Sequence, residues 1–361
     1  MIANVGAPMK SQASALIPTR WSLAIGKSFA SALLLSTVLT FPNSGAFADE
    51  GGVSFWIPGF FGSLAASPLQ PGWSVANIFY HTSVDAGGDV AFARQVARGN
   101  IAANFTGNLN AVLDADGTIG FVLPSYTFAS KVFGGQLNVG AAVAYGHSAG
   151  SVDATLTGAV GPFGFTVSRG FSDEVTGFAD VPLIASLRWN QGVHNYMTYV
   201  LTALPVGNYE ARRLANLGIG HSGVDSGFGY TYFDPKSGNE FSAVLGFTYN
   251  FENNHTDYQN GVDMHLDWGA SKFLTKQWQV GLVGYVYQQI SGDQGSGDRV
   301  GSFESRVIGV GPQLGYVFPI DNKYQGYLNL KGYKEFDADH RAEGWNAWLT
   351  FSISPAPPKQ P

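Results

Sequence analysis

The sequence predicts an all-β fold, a transmembrane antiparallel up-and-down β-barrel. Three observations carry this prediction: long stretches alternate between apolar and polar residues, charged residues make up only 13% of the chain, and short connections alternate with longer ones. Soluble domains carry about 25% charged residues. The chain has 47 glycines and 14% aromatic residues, but after residue 48 it has no continuous apolar run of about 18 residues. This composition excludes a helical membrane protein.

The alternation is clearest between residues 261 and 273. Val262, Met264, Leu266 and Trp268 share one face of a predicted strand, and the acidic and histidine residues between them share the other. Residues 100–114, 240–252, 175–189 and 344–353 alternate in the same way. Strands of soluble proteins usually have about 5–6 residues, whereas transmembrane strands need about 9–11. The length of these alternations therefore favours a membrane barrel.

The connections give the strand count. We predict fourteen strands in a barrel spanning residues 72–353, with twelve as the alternative if the segment 154–168, interrupted by Gly161-Pro162, and a neighbour are not separate strands. Bacterial barrels have an even number of strands, tight periplasmic turns and longer outer loops. The predicted short connections are 114–117, 149–153, 191–192, 234–238, 274–276 and 319–322, and the longer ones are 82–97, 207–222, 252–260 and 291–303. Residues 354–361 are rich in proline, so we expect a disordered tail.

The first 48 residues have the pattern of a secretory signal peptide. Lys10, Arg20 and Lys27 precede an apolar run at 29–41, and an Ala-Phe-Ala site follows at 46–48. The run is shorter than the ~20 residues of a spanning helix. We therefore expect export and cleavage after Ala48, and the barrel signals place the mature chain in the outer membrane of a Gram-negative bacterium.

Charge and cysteine content narrow the function further. Removing residues 1–48 would take three of 20 basic residues and no acidic one, which leaves 17 basic and 26 acidic residues and a net charge of −9. An acidic chain without a basic cluster argues against binding to nucleic acid. The chain has no cysteine, so disulfides, thiolate metal sites and cysteine nucleophiles are excluded.

No motif predicts an enzyme or a cofactor. Residues 218–223 match the pattern G-x-G-x-x-G, but a dinucleotide loop needs a strand before it and a helix after it. Here a glycine-rich strand follows, so we interpret the segment as a loop. Residues 146–150 (GHSAG) match the G-x-S-x-G pattern of hydrolases with a serine nucleophile. That motif needs a turn from a strand into a helix, whereas here a short connection, 149–153, leads to another predicted strand. We predict no catalytic residues, no cofactor and no metal.

The segment before the first strand, residues 49–71, is unusually apolar. If exposed, its hydrophobic side chains would form an adhesive patch, so we expect the barrel lumen to bury them. The segment is either a lumen plug that acts as a hatch or a structural strap along the wall. The hatch candidates are Phe55, Trp56, Phe60, Phe61 and Leu64.

Several charged residues fall on the predicted interior faces. In the sequence Asp263-x-His265-x-Asp267, three polar side chains share one face, about 6.5–7 Å apart. They form either part of a divalent cation site or a hydrogen-bonded polar wall, and we prefer the wall. The candidates for lining the lumen are Asp180, Arg188, Asp263, His265, Asp267, Lys331 and Glu335.

Ordered motifs resemble a family of outer-membrane transporters associated with the meta-pathway of phenol degradation. They include Pro58-Gly59, Pro71-Gly72-Trp73, residues 204–209 (LPVGNY), residues 254–261 (NHTDYQNG) and residues 309–312 (GVGP). The similarity extends from about residue 59 to residue 351. It implies a barrel that helps hydrophobic or aromatic compounds cross the outer membrane, and it implies no catalytic residues.

We therefore expect a passive outer-membrane channel or transporter for small hydrophobic or aromatic compounds. Its expected partners are outer-membrane lipid, a small apolar or aromatic solute and the outer-membrane assembly machinery. Two alternatives remain: a closed structural barrel whose loops bind partners, and an open general porin.

Overall fold

The chain folds into antiparallel β-strands that close into a barrel. The computed structural model describes residues 54–88, 108–160, 163–298 and 304–358. The predicted signal peptide with its cleavage site, and the beginning of the alternating segment predicted at 100–114, lie outside these ranges. The described strands are Gly72–Gly87 (β1), Asn108–Val132 (β2), Gly135–Ala141 (β3), Val143–Val160 (β4), Phe163–Phe178 (β5), Val181–Gln191 (β6), His194–Leu204 (β7), Gly223–Asp234 (β8), Asn239–Asn250 (β9), Asp263–Phe273 (β10), Trp278–Gln289 (β11), Arg306–Pro319 (β12), Tyr324–Asp339 (β13) and Glu343–Pro355 (β14).

Twelve of the described strands form a closed ring. From β6 to β14 each strand pairs with the next, β14 pairs with β1, β1 pairs with β2, and β3 joins β2 to β6. All of these pairings are antiparallel. Closure leaves no open sheet edge around the ring, which a membrane-spanning sheet requires because lipid cannot bond to backbone groups. The antiparallel membrane barrel is thus confirmed.

The other two strands, β4 and β5, prolong this wall at one end. A single residue, Ala142, separates β3 from β4, and Ala179 and Asp180 separate β5 from β6. Backbone hydrogen bonds cross both interruptions, from the Ala142 N–H to the Pro182 carbonyl (2.9 Å) and from the Ala179 N–H to the Ala144 carbonyl (3.0 Å). The fourteen described strands therefore make a ring of twelve, the number given by the alternative count.

Two of the predicted connections are wrong, and they explain the difference in count. Residues 114–117 lie inside β2, and residues 149–153 lie inside β4. Asp114 pairs with Asp85 on one side and with Ser151 on the other. Local turn composition is overridden where both neighbouring strands supply backbone partners.

Most remaining connections alternate between short and long, as predicted, although residues 82–87 of the predicted connection 82–97 belong to β1. Phe133 and Gly134 join β2 to β3 with φ values of 48° and 76°, the left-handed conformation that tight hairpin turns favour. Turns of two to four residues also follow β6, β8, β10 and β12, while residues 205–222, 251–262 and 290–305 make the long connections. β14 continues to Pro355, two residues beyond the predicted end of the strand.

The two faces of the wall differ as the alternation predicts. In β10, Asp263, His265 and Asp267 are buried while the residues between them are partly exposed. Large apolar side chains are exposed on the outer face, among them Val200, Phe228, Leu245, Leu282 and Leu330. Such a continuous apolar belt is the lipid-facing surface of a membrane barrel. Within the described ranges, no helix has the length and hydropathy to cross a membrane.

Candidate functional site

The segment preceding β1 occupies the lumen. We call residues 54–71 the plug. Its Trp56 is 1% exposed and belongs to a buried cluster with Tyr285, Tyr287, Val307 and Trp348 of the wall. Phe55 packs against a second group of wall residues, on β7 and β9, and Phe60 and Phe61 contact both groups. The lumen therefore buries Phe55 and Trp56 and partly buries the other two aromatic side chains.

Polar side chains of the wall bind the plug through its backbone. The Gly59 N–H donates to Asp267 Oδ1 (3.0 Å), and the Leu64 N–H donates to Glu240 Oε1 (2.9 Å). The Ala66 N–H donates to Thr231 Oγ1 (3.0 Å). The plug has no strand pairing, and buried backbone groups that lack partners are costly. These side chains supply the hydrogen-bond partners that a neighbouring strand would otherwise supply.

Lys331 makes three hydrogen bonds to the plug. Its Nζ donates to the carbonyl oxygens of Gly59 (2.5 Å), Phe60 (3.2 Å) and Phe61 (3.0 Å). The Nζ also lies 5.2 Å from the centre of the Trp348 ring, a cation–π distance. Lys331 is 6% exposed. Its ammonium group therefore contacts three plug carbonyls and one aromatic ring in place of water.

His265 joins the plug to a second polar cluster. Its Nδ1 lies 2.8 Å from Asp267 Oδ2, and its Nε2 lies 3.2 Å from Asp225 Oδ2. The Trp56 ring stacks on the imidazole, with centroids 3.7 Å apart and planes 11° apart. Tyr199 donates to Asp225 Oδ1 at 2.5 Å. The observed arrangement is a hydrogen-bonded polar wall, and the described residues include no group of three or more His, Asp or Glu side chains placed to hold a metal ion.

The other predicted lumen residues divide between the plug and the wall. Arg188 Nη2 donates to the plug carbonyl of Ala65 (3.2 Å). Glu335, on β13, instead accepts from Tyr285 (2.6 Å) on β11, two strands along the wall. Asp263 accepts from Asn250 (2.9 Å), and Asp180 accepts backbone N–H groups of the β7–β8 loop. Four of the seven candidates, Arg188, His265, Asp267 and Lys331, thus contact the plug.

The opposite side of the lumen is apolar and leaves a cavity. This cavity of about 150 Å³ lies between the plug and the wall formed by β1, β2, β6 and β7. Its only polar lining residues among those described are Ser54 and Asp180. The lining residues are Ser54, Phe55, Trp56, Ile57, Phe60, Ile78, Ile119, Phe121, Leu123, Ala142, Ala179, Asp180, Pro182, Ile184, Leu201, Ala203, Leu217 and Ile219.

The β7–β8 loop, residues 205–222, folds onto the barrel and completes the cavity. Leu217 and Ile219 of this loop line the cavity. Asp180 Oδ1 and Oδ2 accept the Gly207 N–H (2.8 Å) and the Ile219 N–H (3.0 Å). Arg213 makes two hydrogen bonds to the Asp173 carboxylate (2.8 and 3.1 Å), which raise the pKa of Arg213.

Sequence reasoning missed several residues of this site. Glu240, a plug ligand, was read only as part of an alternating strand, although its polar character on an interior face was visible. Asp225 and Tyr199 alternate with apolar residues in β8 and β7 and could have been found in the same way. Leu217 and Ile219 carried no signal, because nothing in a loop sequence shows that the loop folds inward.

The fold and the site define a class: an outer-membrane β-barrel whose lumen is occupied by its own N-terminal segment. A family model described as "Putative MetA-pathway of phenol degradation" matches residues 98–351. The chain belongs to this family. No curated protein matches the chain.

Two solved structures are similar to this chain to different degrees. The COG4313 outer membrane channel from Pseudomonas putida F1 has a TM-score of 0.56 and 13% sequence identity to this chain, covering 81% of this chain and 98% of that chain. A Pseudomonas aeruginosa FadL homologue has a TM-score of 0.41 and 9% identity, covering 86% of this chain and 98% of that chain. At 13% identity, the similarity to the COG4313 channel shows a shared fold.

Proposed function

We propose that this protein is a passive outer-membrane channel for small hydrophobic or aromatic compounds, with the plug as its hatch. Membership of the phenol-degradation family and the barrel fold support a role in the uptake of such compounds. The protein has no catalytic role in this proposal. Its partners are outer-membrane lipid, the solute and the assembly machinery that inserts the barrel.

The observation that carries the proposal is the apolar cavity beside the plug. Most of the polar side chains that bind the plug, among them Thr231, Glu240, Asp267 and Lys331, lie on β8, β9, β10 and β13, whereas the cavity adjoins the apolar wall of β1, β2, β6 and β7. A dry apolar cavity of about 150 Å³ is large enough to bind benzene. A single aromatic ring therefore matches the space in size and polarity.

Passage requires movement of the plug. The plug fills the centre of the lumen, and its aromatic side chains form one side of the cavity. A solute that leaves the cavity toward the periplasm has to pass this segment. Because the plug is held mainly through side chains rather than through a strand ladder, its contacts can be broken a few at a time.

The test is a comparison of the intact barrel with a variant lacking residues 54–66. Both are refolded into planar bilayers for conductance and into liposomes for toluene uptake. A hatch predicts a small ionic current that rises on deletion, with toluene uptake by the intact barrel above that of empty liposomes. Toluene uptake equal to that of empty liposomes would overturn the proposal.

The same measurement separates the alternatives. Silence from both proteins, with no solute uptake, indicates a closed structural barrel, a reading favoured by the many bonds that hold the plug. A large and equal current from both indicates an open porin. The occupied lumen argues against that last alternative.

A further inference from the structure

One end of the barrel carries an excess of lysine. This end holds the turns at residues 133–134, 192–193, 235–238, 274–277 and 320–323. The described lysines in or beside these turns are all exposed: Lys131, Lys236, Lys272, Lys276 and Lys323. The acidic residues there are Asp234 and Asp321. This end is therefore cationic, although the chain as a whole has a net charge of −6.

Four of these lysines lie on three neighbouring hairpins, β8–β9, β10–β11 and β12–β13. We call this group the lysine rim: Lys236, Lys272, Lys276 and Lys323. The Lys272 Nζ donates to the Ser237 carbonyl oxygen (2.6 Å), which links β10 to the first hairpin turn. The Val317 N–H donates to the Gln277 carbonyl oxygen (2.9 Å), which links β12 to the second. The rim lysines therefore lie side by side along one arc of the barrel.

The rim lysines have no ion pair with an acidic side chain among the described residues. At the other end of the barrel, by contrast, Arg213 pairs with Asp173 at 2.8 Å. Lys272 binds only uncharged oxygens, those of the Ser237 carbonyl and the Asn239 amide. Four lysines and the two aspartates of these turns leave a charge of +2 on the rim. An acidic partner for this charge has to come from outside the barrel wall that the structure describes.

The residues beside the rim are apolar and aromatic. Leu274 and Ile320, in the turns themselves, are exposed, and so are Trp278 and Tyr324 at the first positions of β11 and β13. The Trp278 ring packs on Tyr316 with the ring centroids 4.5 Å apart. Tryptophan and tyrosine at the edge of an apolar belt lie at the level of lipid headgroups, where lysine extends its ammonium group toward water. A soluble acidic polymer would match the charge of the rim but not these apolar neighbours.

The connections give the orientation of the rim. The β12–β13 turn lies where β14 ends, since Tyr324 pairs with Pro355, and β1 begins beside it, since Val75 pairs with Ile353. The long connections lie at the opposite end. Tight turns of bacterial barrels face the periplasm and longer loops face outward, so the rim lies at the periplasmic surface of the membrane.

We propose that the lysine rim binds the phosphate groups of anionic phospholipids in the leaflet that faces the periplasm. The acyl chains lie on the apolar belt, and the ammonium groups contact the headgroup. A zwitterionic headgroup is bound less well, because its own ammonium group offsets the charge of its phosphate. The inference rests on the proposed function only for the membrane that surrounds the barrel, and it does not involve the solute cavity.

The experiment measures the lipid preference of the barrel in phosphatidylcholine vesicles by electron paramagnetic resonance. Trace amounts of spin-labelled phosphatidylglycerol or phosphatidylcholine give the two association constants. A lysine near the membrane surface strengthens the binding of an anionic headgroup by about fivefold. The spectrum averages over all lipids around the barrel, so we expect the wild type to prefer phosphatidylglycerol by about two- to fivefold. The triple variant Lys236→Gln, Lys276→Gln, Lys323→Gln should bring the preference close to one.

The triple variant Arg169→Gln, Arg212→Gln, Lys334→Gln is the matched control, because it removes three exposed positive charges away from the rim. It should keep the wild-type preference. High salt should lower the preference of the wild type toward one, a result that does not depend on the folding of any variant. Equal association of the wild type with both lipids, or a preference that persists in the rim variant, would overturn the inference.

Cosedimentation with purified peptidoglycan tests a different acidic partner. Binding of the wild-type barrel that the rim variant loses, together with equal association of the two lipids, would assign the rim to a periplasmic polymer and overturn the lipid assignment. Toluene uptake into liposomes of zwitterionic lipid decides the channel function separately, so the failure of one proposal can be told apart from the failure of the other.

Discussion

Lys331 Nζ lies 2.5 Å from the carbonyl oxygen of Gly59, although the two residues are 272 positions apart in the sequence. The same ammonium group also binds the next two carbonyls of the plug. Lys331 thus joins the plug to β13. We therefore expect the position of the plug in the lumen to depend on Lys331.

We expect Lys331→Met to release the plug. The variant keeps the length and apolar stem of the side chain but leaves three buried carbonyls without their donor. Hydrogen bonds to a charged group contribute about 1.5–3 kcal/mol each, so the loss exceeds what the remaining contacts readily offset. Single-channel conductance in planar bilayers should rise several-fold, with more frequent openings.

Lys334→Met is the matched control, because Lys334 lies on the same strand with its side chain on the exposed outer face. Its conductance should equal that of the wild type. A Lys331→Met barrel that conducts like this control would show that Lys331 does not hold the plug.

Glycines at the contact between plug and wall offer a second test. Gly59 has φ +84°, and a Cβ there would lie 2.9 Å from the Tyr333 ring. A Cβ on Gly269, on the wall, would lie 2.6 Å from the backbone nitrogen of Ser63. We expect Gly59→Ala and Gly269→Ala each to displace the plug at a cost of about 1–3 kcal/mol. Hydrogen exchange of residues 54–66 should then be faster by about fivefold or more.

Gly62→Ala is the control, because it replaces a plug glycine with alanine without creating a close contact with the wall. A Cβ on Gly62 meets its nearest neighbour, Lys331 Nζ, at 3.5 Å, which is ordinary van der Waals contact. Its exchange rates should match those of the wild type. Equal protection in all three variants would mean that the plug does not depend on close contact with the wall.

The cavity gives a third prediction. Ala203 on β7 is buried and lines the cavity, so Ala203→Leu should fill part of the space at a cost of about 1–3 kcal/mol in overpacking. Toluene uptake into liposomes should fall several-fold, while the ionic conductance should remain low. Val200→Leu, on the lipid-facing side of the same strand, should leave uptake unchanged. Normal uptake by Ala203→Leu would place the solute path elsewhere.

The strand faces could be predicted from sequence because alternation is a local property. The interior positions of Asp263, His265 and Asp267 follow directly from the spacing of two residues. The strand count could not be fixed in the same way. Asp114 to Gly117 has a turn-like composition, and only pairing with β1 and β4, both distant in sequence, keeps it extended.

The composition of the plug was also predictable, since an apolar segment has to be buried somewhere. Its partners were not, because contacts across a barrel depend on the stagger of the strands. Lys331 and Asp267 meet Gly59 from different strands, and no spacing in the sequence relates them. The inward fold of the β7–β8 loop likewise depends on contacts with Asp173 and Asp180, which precede the loop by more than 20 residues in the sequence.

The ion pair between Arg213 and Asp173 gives the last prediction. It fastens the β7–β8 loop, which covers the cavity, to β5. The Arg213 and Asp173 side chains are 33% and 18% exposed, so the pair contributes at most about 1 kcal/mol. Arg213→Gln should therefore speed amide exchange of residues 205–222 by about two- to fivefold, an effect that high salt should imitate in the wild type. Arg212 is an exposed neighbour, so Arg212→Gln should change neither the exchange rate of the loop nor its dependence on salt. Unchanged exchange in Arg213→Gln would show that the loop is held by the backbone contacts of Asp180 without the ion pair.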